Sequence, residues 1–261
     1  MTADASTSRT RKSGWEDFLF VIDQGLLPED EDHPCPYLPD QLARNEGFVT
    51  SGKVGGEFYH DLMDRGFRRS GAFFYRPVCG SCNACRSVRV PVDSFTPSKS
   101  QRRNWRRNAD LSVHVGAPGI NDEKCRMFQA YLAHQHNRSM GDSYEDLRRF
   151  LYTSPTETLE FEYHLDGKLI GFGIGDVCSR SLSTVYFVFD PAHADRGLGT
   201  YSLLWEIDYC RRHAIPYHYL GFTIAGCGKM TYKTNFRPCE ILGKDFVWRP
   251  VEDDATEATI P

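Results

Sequence analysis

Cys79, Cys82 and Cys85 stand in a C-x2-C-x2-C pattern, and the run "SKSQRRNWRRN" follows close behind at 98–108. A tight turn brings residues i and i+3 together, so thiols at this spacing can point at one metal ion. Three thiolates leave one position open, and Cys35, inside its own Pro-bounded turn, is the candidate for it. Soft thiolates suit zinc or an iron–sulfur cluster, and spacing alone does not choose between them. The competing reading is three free thiols filling a tight turn.

The arginine run asks for a polyanion. On a helix of 3.6 residues per turn, Lys99, Arg102, Arg103, Arg106 and Arg107 fall within an arc of about 140°, with Trp105 facing away. Ser98 or Ser100 suits the cap, and Pro97 suits the entrance. The like-charged i, i+4 pairs 102/106 and 103/107 each destabilise an isolated helix by about 0.2–0.5 kcal/mol. No acidic residue interrupts the run. Phosphates would relieve that repulsion, because guanidinium offers a planar fork of donors. A solvated face neutralised from elsewhere in the fold is the alternative.

Two stretches farther on also carry donors. "ADRGLGTY", 194–201, resembles the acetyltransferase loop that cradles the pyrophosphate of acetyl-CoA, and helix N-termini suit phosphate. That pattern wants Gln or Arg three residues before the first of its paired glycines. Here Ala194 holds that position and Arg196 sits next to the glycine. A tight turn into a core helix explains the loop equally well. In "GCGKMTYKTNFRP", 226–238, Lys229 and Lys233 share a helical face with Tyr232 and Arg237 nearby. Cationic and phenolic donors there could hold a carboxylate or a tRNA 3′ end, or could simply be solvated.

The elements that must position these groups are mixed α/β. The chain has 261 residues, 40 % hydrophobic and 25 % charged, with a net charge of −4. That is the composition of an ordinary globular chain, and no run of eighteen apolar residues is available to span a membrane. Nine cysteines, an odd number, argue for free thiols in a reducing cytoplasm. The acids gather elsewhere, as in "EDED" at 29–32, so a local basic patch survives the negative total. Residues 1–13 read as a disordered leader and 251–261 as a disordered tail. Between them lie an N-terminal region, 14–120, with the thiol turn and basic helix, and a C-terminal region, 121–250. A short helix closes at Gly66 or Gly71, and strands over "AFFYRPV" and "RSVRVPV" flank the thiol turn. Helices follow over "NDEKCRMFQAYLAHQHN" and "SYEDLRRFLYT", the second capped by Ser143. Then come three short-turned strands, "LEFEYHL", "KLIGFGIGDV" and "SLSTVYFVFD", a helix behind the glycine loop, and the strand "PYHYLGF". This order resembles the second half of the GCN5-related N-acetyltransferase fold.

Taken together, "HPCPYLP" (33–39), "YRPVCGSCNACRSVRVPV" (75–92), "PSKSQRRNWRRN" (97–108), "DPAHADRGLGTYSLLW" (190–205) and "GKMTYKTNFRP" (228–238) resemble the aminoacyl-tRNA–protein transferases of the N-degron pathway. The nearer branch is the bacterial aspartate/glutamate leucyltransferases. The longer arginyltransferases carry a C-G-Y-C element where this chain has Cys35-Pro36-Tyr37-Leu38, which favours the leucyl branch and weakens the case for a cluster. The resemblance implies transfer of leucine from leucyl-tRNA to proteins beginning with Asp or Glu, marking them for degradation. An aminoacyl ester is already activated, so no cofactor is required for transfer. Tyr232 and Lys229 are the catalytic candidates, and Arg76, Arg237 and Lys233 the substrate-binding ones. Lys99, Arg102, Arg103, Arg106 and Arg107 would bind tRNA, with the thiol turn shaping the base of their helix. An arginyl donor, an acetyl-CoA-dependent N-acetyltransferase and a non-enzymatic thiol-metal RNA-binding module are the competing functions.

Overall fold

The computed structural model describes residues 5–135 and 141–251, with side chains from residue 14 onward. Its helices are α1 (Ala5–Asp23), α2 (Gly56–Met63), α3 (Lys99–Arg107), α4 (Asp122–Gln135), α5 (Tyr144–Leu147), α6 (Leu198–Arg212) and α7 (Gly228–Thr231). The strands are β1 (His33–Pro34), β2 (Leu42–Ala43), β3 (Asn45–Val49), β4 (Arg68–Ser70), β5 (Phe73–Pro77), β6 (Cys85–Pro91) and β7 (Ser112–Gly116). They continue as β8 (Thr158–Leu165), β9 (Lys168–Val177), β10 (Ser181–Phe189), β11 (Tyr217–Ile224), β12 (Glu240–Leu242) and β13 (Trp248–Pro250). Helix α1 begins inside the stretch read as a leader, whose first four residues lie outside the described residues, as does the tail from 252.

Local chemistry explains the elements that position the site. The β8–β9 hairpin turns at Asp166 and Gly167, with φ of 49° and 80°, the positive pair that an Asp-Gly two-residue turn accommodates. Helix α2 stops where Gly66 turns to φ 82°. Helix α3 opens on Ser98, which accepts from the Gln101 N–H while the Gln101 side chain accepts from the Ser98 N–H. That reciprocal cap secures the first turn against the repulsion of the arginines behind it.

One eight-stranded sheet organises the chain, in the order β13-β12-β6-β11-β10-β9-β8-β7. Only β10 and β11 are parallel; the other neighbours run antiparallel. Strand β6, from the N-terminal region, pairs with β11 and β12, so the sheet crosses the boundary drawn at residue 120. A smaller sheet, β3-β5-β4, stands apart, so β5 and β6 do not pair with each other. The thiol turn therefore joins two sheets.

Apolar side chains bind the layers. Leu204, Ile207 and Cys210 of α6 pack with Val88, Val90 and Leu220 of the sheet. Phe128 and Leu132 of α4 pack with Phe172, Ile174 and Val188. The small sheet and α2 form a third cluster through Phe58, Leu62, Phe74 and Tyr219.

A buried ion pair fixes the small sheet onto the large one. Arg69 and Asp176 both have fully buried side chains. Two parallel bonds of 2.8 and 2.7 Å join them, and Thr158 donates to the same carboxylate at 2.8 Å. Asp176→Asn would leave the Arg69 charge uncompensated, lowering stability in urea unfolding by about 3–5 kcal/mol. Replacing both partners with Met and Leu should cost less than the single change. A loss under about 1 kcal/mol for Asp176→Asn would mean that water reaches the guanidinium.

Candidate functional site

The large sheet comes apart at its one parallel junction. Pairing of β10 with β11 ends at Ser183 opposite Tyr219. At that level β10 bulges between Thr184 and Tyr186, and β11 bulges between Tyr219 and Gly221. Strands that part in this way leave carbonyl groups in need of donors. Two cations from other elements supply them. Arg68 of β4 donates to the Thr184 carbonyl and, at 3.0 Å, to the Ser183 hydroxyl. Lys233, just past α7, donates to the Phe222 carbonyl at 2.8 Å. Gly221 lies between them with φ of 89°, and a Cβ there would stand 3.2 Å from Arg68 Nη2 and 3.3 Å from Lys233 Nζ. Both the backbone angle and the close approach call for glycine.

The split is cationic and rimmed with phenols. Arg68 keeps 8 % of its surface exposed. Burial, and then the Arg68 guanidinium, lower the Lys233 ammonium to about 7. Tyr186, one residue past the bulge, meets Tyr131 of α4 at 6.1 Å between ring centres. Tyr232 is 37 % exposed, yet the protein packed around its hydroxyl, then Tyr131 and Glu206, push it up to about 12. Burial, followed by Tyr75 and Cys85, pushes Tyr37 up to about 12 as well. Phenols raised this far are neutral donors at physiological pH. Beneath the split, Glu206 of α6 accepts from the Thr184 hydroxyl at 2.5 Å and stands 2.9 Å from His218 Nε2, all three buried.

The sequence-level candidates divide. Lys233 enters the split, and Tyr232 stands near it. Lys229 does not share their direction: α7 is one turn long, and the exposed Lys229 donates to the Gln135 carbonyl at the end of α4. Arg76 is spent on Glu46 and on the carbonyls of Arg65 and Ile22. Arg237 donates to the Thr234 and Val251 carbonyls. Arg68, Thr184, Glu206 and His218 were not singled out. Glu206 had a readable signal, since it shares a helical stripe with Leu203, Ile207 and Cys210, where a charge must find a partner inside.

The basic helix keeps its face outward. Lys99, Arg102, Arg103, Arg106 and Arg107 are all exposed. Arg102 donates to the Pro97 carbonyl at 2.5 Å and Arg107 to the Asp195 carbonyl at 2.7 Å. Trp105 does not turn fully away: it is 36 % exposed and leans on Tyr201 of α6. The inward side fastens α3 to the glycine loop. Asn104 donates to the Arg196 and Gly197 carbonyls and Asn108 to that of Arg196. Arg196 itself pairs with Asp110 at 2.8 Å. The loop lies just beyond β10, at the end where the split opens, so the C-terminal part of α3 is fastened toward that end.

The thiols also gather at the open end of the split, because Cys85 pairs with Ile224 at the end of β11. They do not form the base of the basic helix. The whole of β6, about 20 Å at 3.4 Å per residue, separates Cys85 from the segment leading to α3. Burial, then the sulfurs of Cys79, Cys35, Cys82 and Cys227, push the Cys85 thiol up to about 12. Cys79 points at the Arg44 carbonyl, and Cys35 accepts from the Leu38 N–H. Soft donors are thus present, but among the described residues no three His, Cys, Asp or Glu side chains are grouped to hold a metal ion. A cavity of about 490 Å³ opens beside them, lined by Cys79, Cys82, Cys85, Arg86, Phe222 and Phe246, among others.

Comparison with known proteins bears on this arrangement. Residues 33–103 match the family described as arginine-tRNA-protein transferase, N terminus, and residues 123–243 match its C terminus. The chain is similar to a Hahella chejuensis protein named aspartate/glutamate leucyltransferase, with 38 % identity over 82 % of this chain and 92 % of that one. A Stenotrophomonas maltophilia protein of the same name is 39 % identical over 84 % of this chain and 90 % of its own. Among solved structures there is a distant likeness to the C-terminal domain assigned to a lysylphosphatidylglycerol synthetase of Agrobacterium fabrum. It has 17 % identity and a TM-score of 0.48, over 73 % of this chain and 62 % of that one.

The arginine face can be tested through salt. Arg107 is partly engaged by Asp195, so Arg103→Ala with Arg106→Ala removes the cleaner pair of cations. If these contact phosphate, affinity should fall alike for different tRNAs, and the log–log salt slope should drop by roughly one unit per lost contact. Unchanged affinity in a folded double variant would make this a solvated face.

Proposed function

Because the chain belongs to the arginine-tRNA-protein transferase family, making it an aminoacyltransferase, we propose that it moves leucine from leucyl-tRNA to the α-amine of proteins that begin with Asp or Glu. The names of its relatives support the leucyl donor and acidic acceptor. One observation supports the placement of the reaction: the phenol rim, the cationic split and the glycine loop that anchors the C-terminal part of α3 all meet the same end of the sheet.

The chemistry asks little of a cofactor. The acceptor nitrogen attacks the ester carbonyl, a tetrahedral oxyanion forms, and the bond to the ribose oxygen breaks. The amine loses a proton and the ribose oxygen gains one. No other reactant is consumed, so positioning and electrostatics carry the rate. The face of α3 would hold the phosphates while the 3′ end reaches past the glycine loop to the split. The neutral Tyr232 hydroxyl is suited to donate to the oxyanion. Leucine added in this way would mark the acceptor for degradation. No described helix is long and apolar enough to cross a membrane.

At the thiol end we propose a structural zinc ion or iron–sulfur cluster held by Cys35, Cys79, Cys82 and Cys85. The soft donor chemistry supports it, and binding would have to draw together sulfurs that are not grouped as a metal site among the described residues. No step of transfer passes through it. Protein purified without oxygen should then carry zinc or iron by elemental analysis, and Cys82→Ser should lower both metal content and melting temperature. Metal-free protein of full stability would leave the thiols as packing.

The transfer itself is tested with labelled leucyl- and arginyl-tRNA and peptides starting with Asp, Glu or Ala. Label should pass from leucyl-tRNA to the Asp and Glu peptides. Transfer from arginyl-tRNA alone would overturn the leucyl donor, and transfer from neither would overturn the reaction.

A further inference from the structure

We propose that Arg68 and Lys233, facing each other across the strand split, form the subsite for the acceptor's acidic side chain and so select Asp and Glu over their amides. This rests on the acidic-acceptor reading above and adds the residues that enforce it.

Charge pairing singles these two side chains out. Arg68 and Arg69 are neighbours on β4, and both turn inward. Arg69 has Asp176. Arg68 has only a hydroxyl and a carbonyl, and Lys233 only a carbonyl. Among the described residues no carboxylate stands within ion-pair distance of either. Two cations held together without an anion repel each other; the Lys233 ammonium is lowered first by its burial and then by the Arg68 guanidinium. An arriving carboxylate would relieve that repulsion and find its own charge paired on leaving water.

Geometry agrees. Both nitrogens lie within 3.3 Å of the single point where a Gly221 Cβ would sit, so the two oxygens of one carboxylate could bridge them. Donors remain available, since an ammonium carries three N–H groups and a guanidinium five. Two of the Arg68 nitrogens and one Lys233 hydrogen are engaged with backbone or hydroxyl. The flexible lysine stem can follow a carboxylate one methylene nearer or farther, which fits acceptance of both Asp and Glu, whereas the rigid fork of Arg68 fixes the direction of approach. An amide in the same place offers one neutral oxygen and turns N–H groups toward cations. The other two arginines the sequence offers for this role, the half-buried Arg76 and Arg237, already serve other acceptors.

The test measures equilibrium binding of Asp-Ala, Glu-Ala, Asn-Ala and Gln-Ala dipeptides to the full chain without tRNA, beside the transfer assay. Wild-type protein should favour the acids. Lys233→Met, similar in length but uncharged, and Arg68→Gln should each reduce the preference for Asp over Asn by about 10- to 100-fold, the range for one charge-assisted bond. Leucyl-tRNA affinity should stay within about 2-fold. Lys233→Arg, which restores a cation, should recover part of the preference and controls for folding. Equal losses for acids and amides would overturn the proposal, placing the pair at the oxyanion or the backbone instead. Equal wild-type binding of Asp-Ala and Asn-Ala would overturn it too. A leucyl donor that fails while the Asp preference persists and collapses in Lys233→Met would overturn only the donor.

Discussion

Two adjacent arginines on one short strand organise this molecule. Arg69 meets Asp176 in a fully buried pair that fastens the small sheet to β9. Arg68, one residue away, reaches the bulge of β10 with no acid among the described residues to meet it. A desolvated ion pair contributes little by itself, but breaking it is costly, so it fixes where β4 can sit. Once β4 is fixed, the second guanidinium has no alternative to the split. The structural pair thus positions the functional cation.

The split makes use of a weakness in sheet architecture. Parallel strands that part expose carbonyls, and a purely structural solution would be water or a neutral donor. Here the donors are cations on both sides, with neutral phenols around them. Such a site favours an anionic ligand and a developing oxyanion over a cationic one, because low local dielectric strengthens fixed charges. Helix α3 adds a different kind of electropositive surface. Its arginines are solvated, suited to weak, screened contacts with a polyanion, whereas Arg68 and Lys233 are shielded and suited to one carboxylate.

The thiol turn owes its place to strand pairing more than to its own spacing. It joins β5 of one sheet to β6 of the other, and the register of β6 against β11 sets Cys85 opposite Ile224. Cys35 and Cys227 arrive from distant parts of the chain. This is why the turn sits beside the split, a strand's length from the helix that follows it in sequence.

What the sequence determined by itself was local and periodic: the capped arginine helix, the Asp-Gly hairpin, the alternating strands, the amphipathic α4. Each rests on interactions between residues a few positions apart, through backbone angles, caps and repeat spacing. It also carried the family, through motifs whose order extends along most of the chain. Tertiary structure decided which charges meet. Arg76 and Lys233 look alike as basic residues near glycine and aromatic neighbours, yet Glu46 neutralises one while the other enters the split. Arg68 and Arg69 are the same residue side by side, and only the position of Asp176, more than a hundred residues away, distinguishes them. Charge pairing depends on distance in space, and desolvation depends on what packs above, so neither can be read from spacing along the chain.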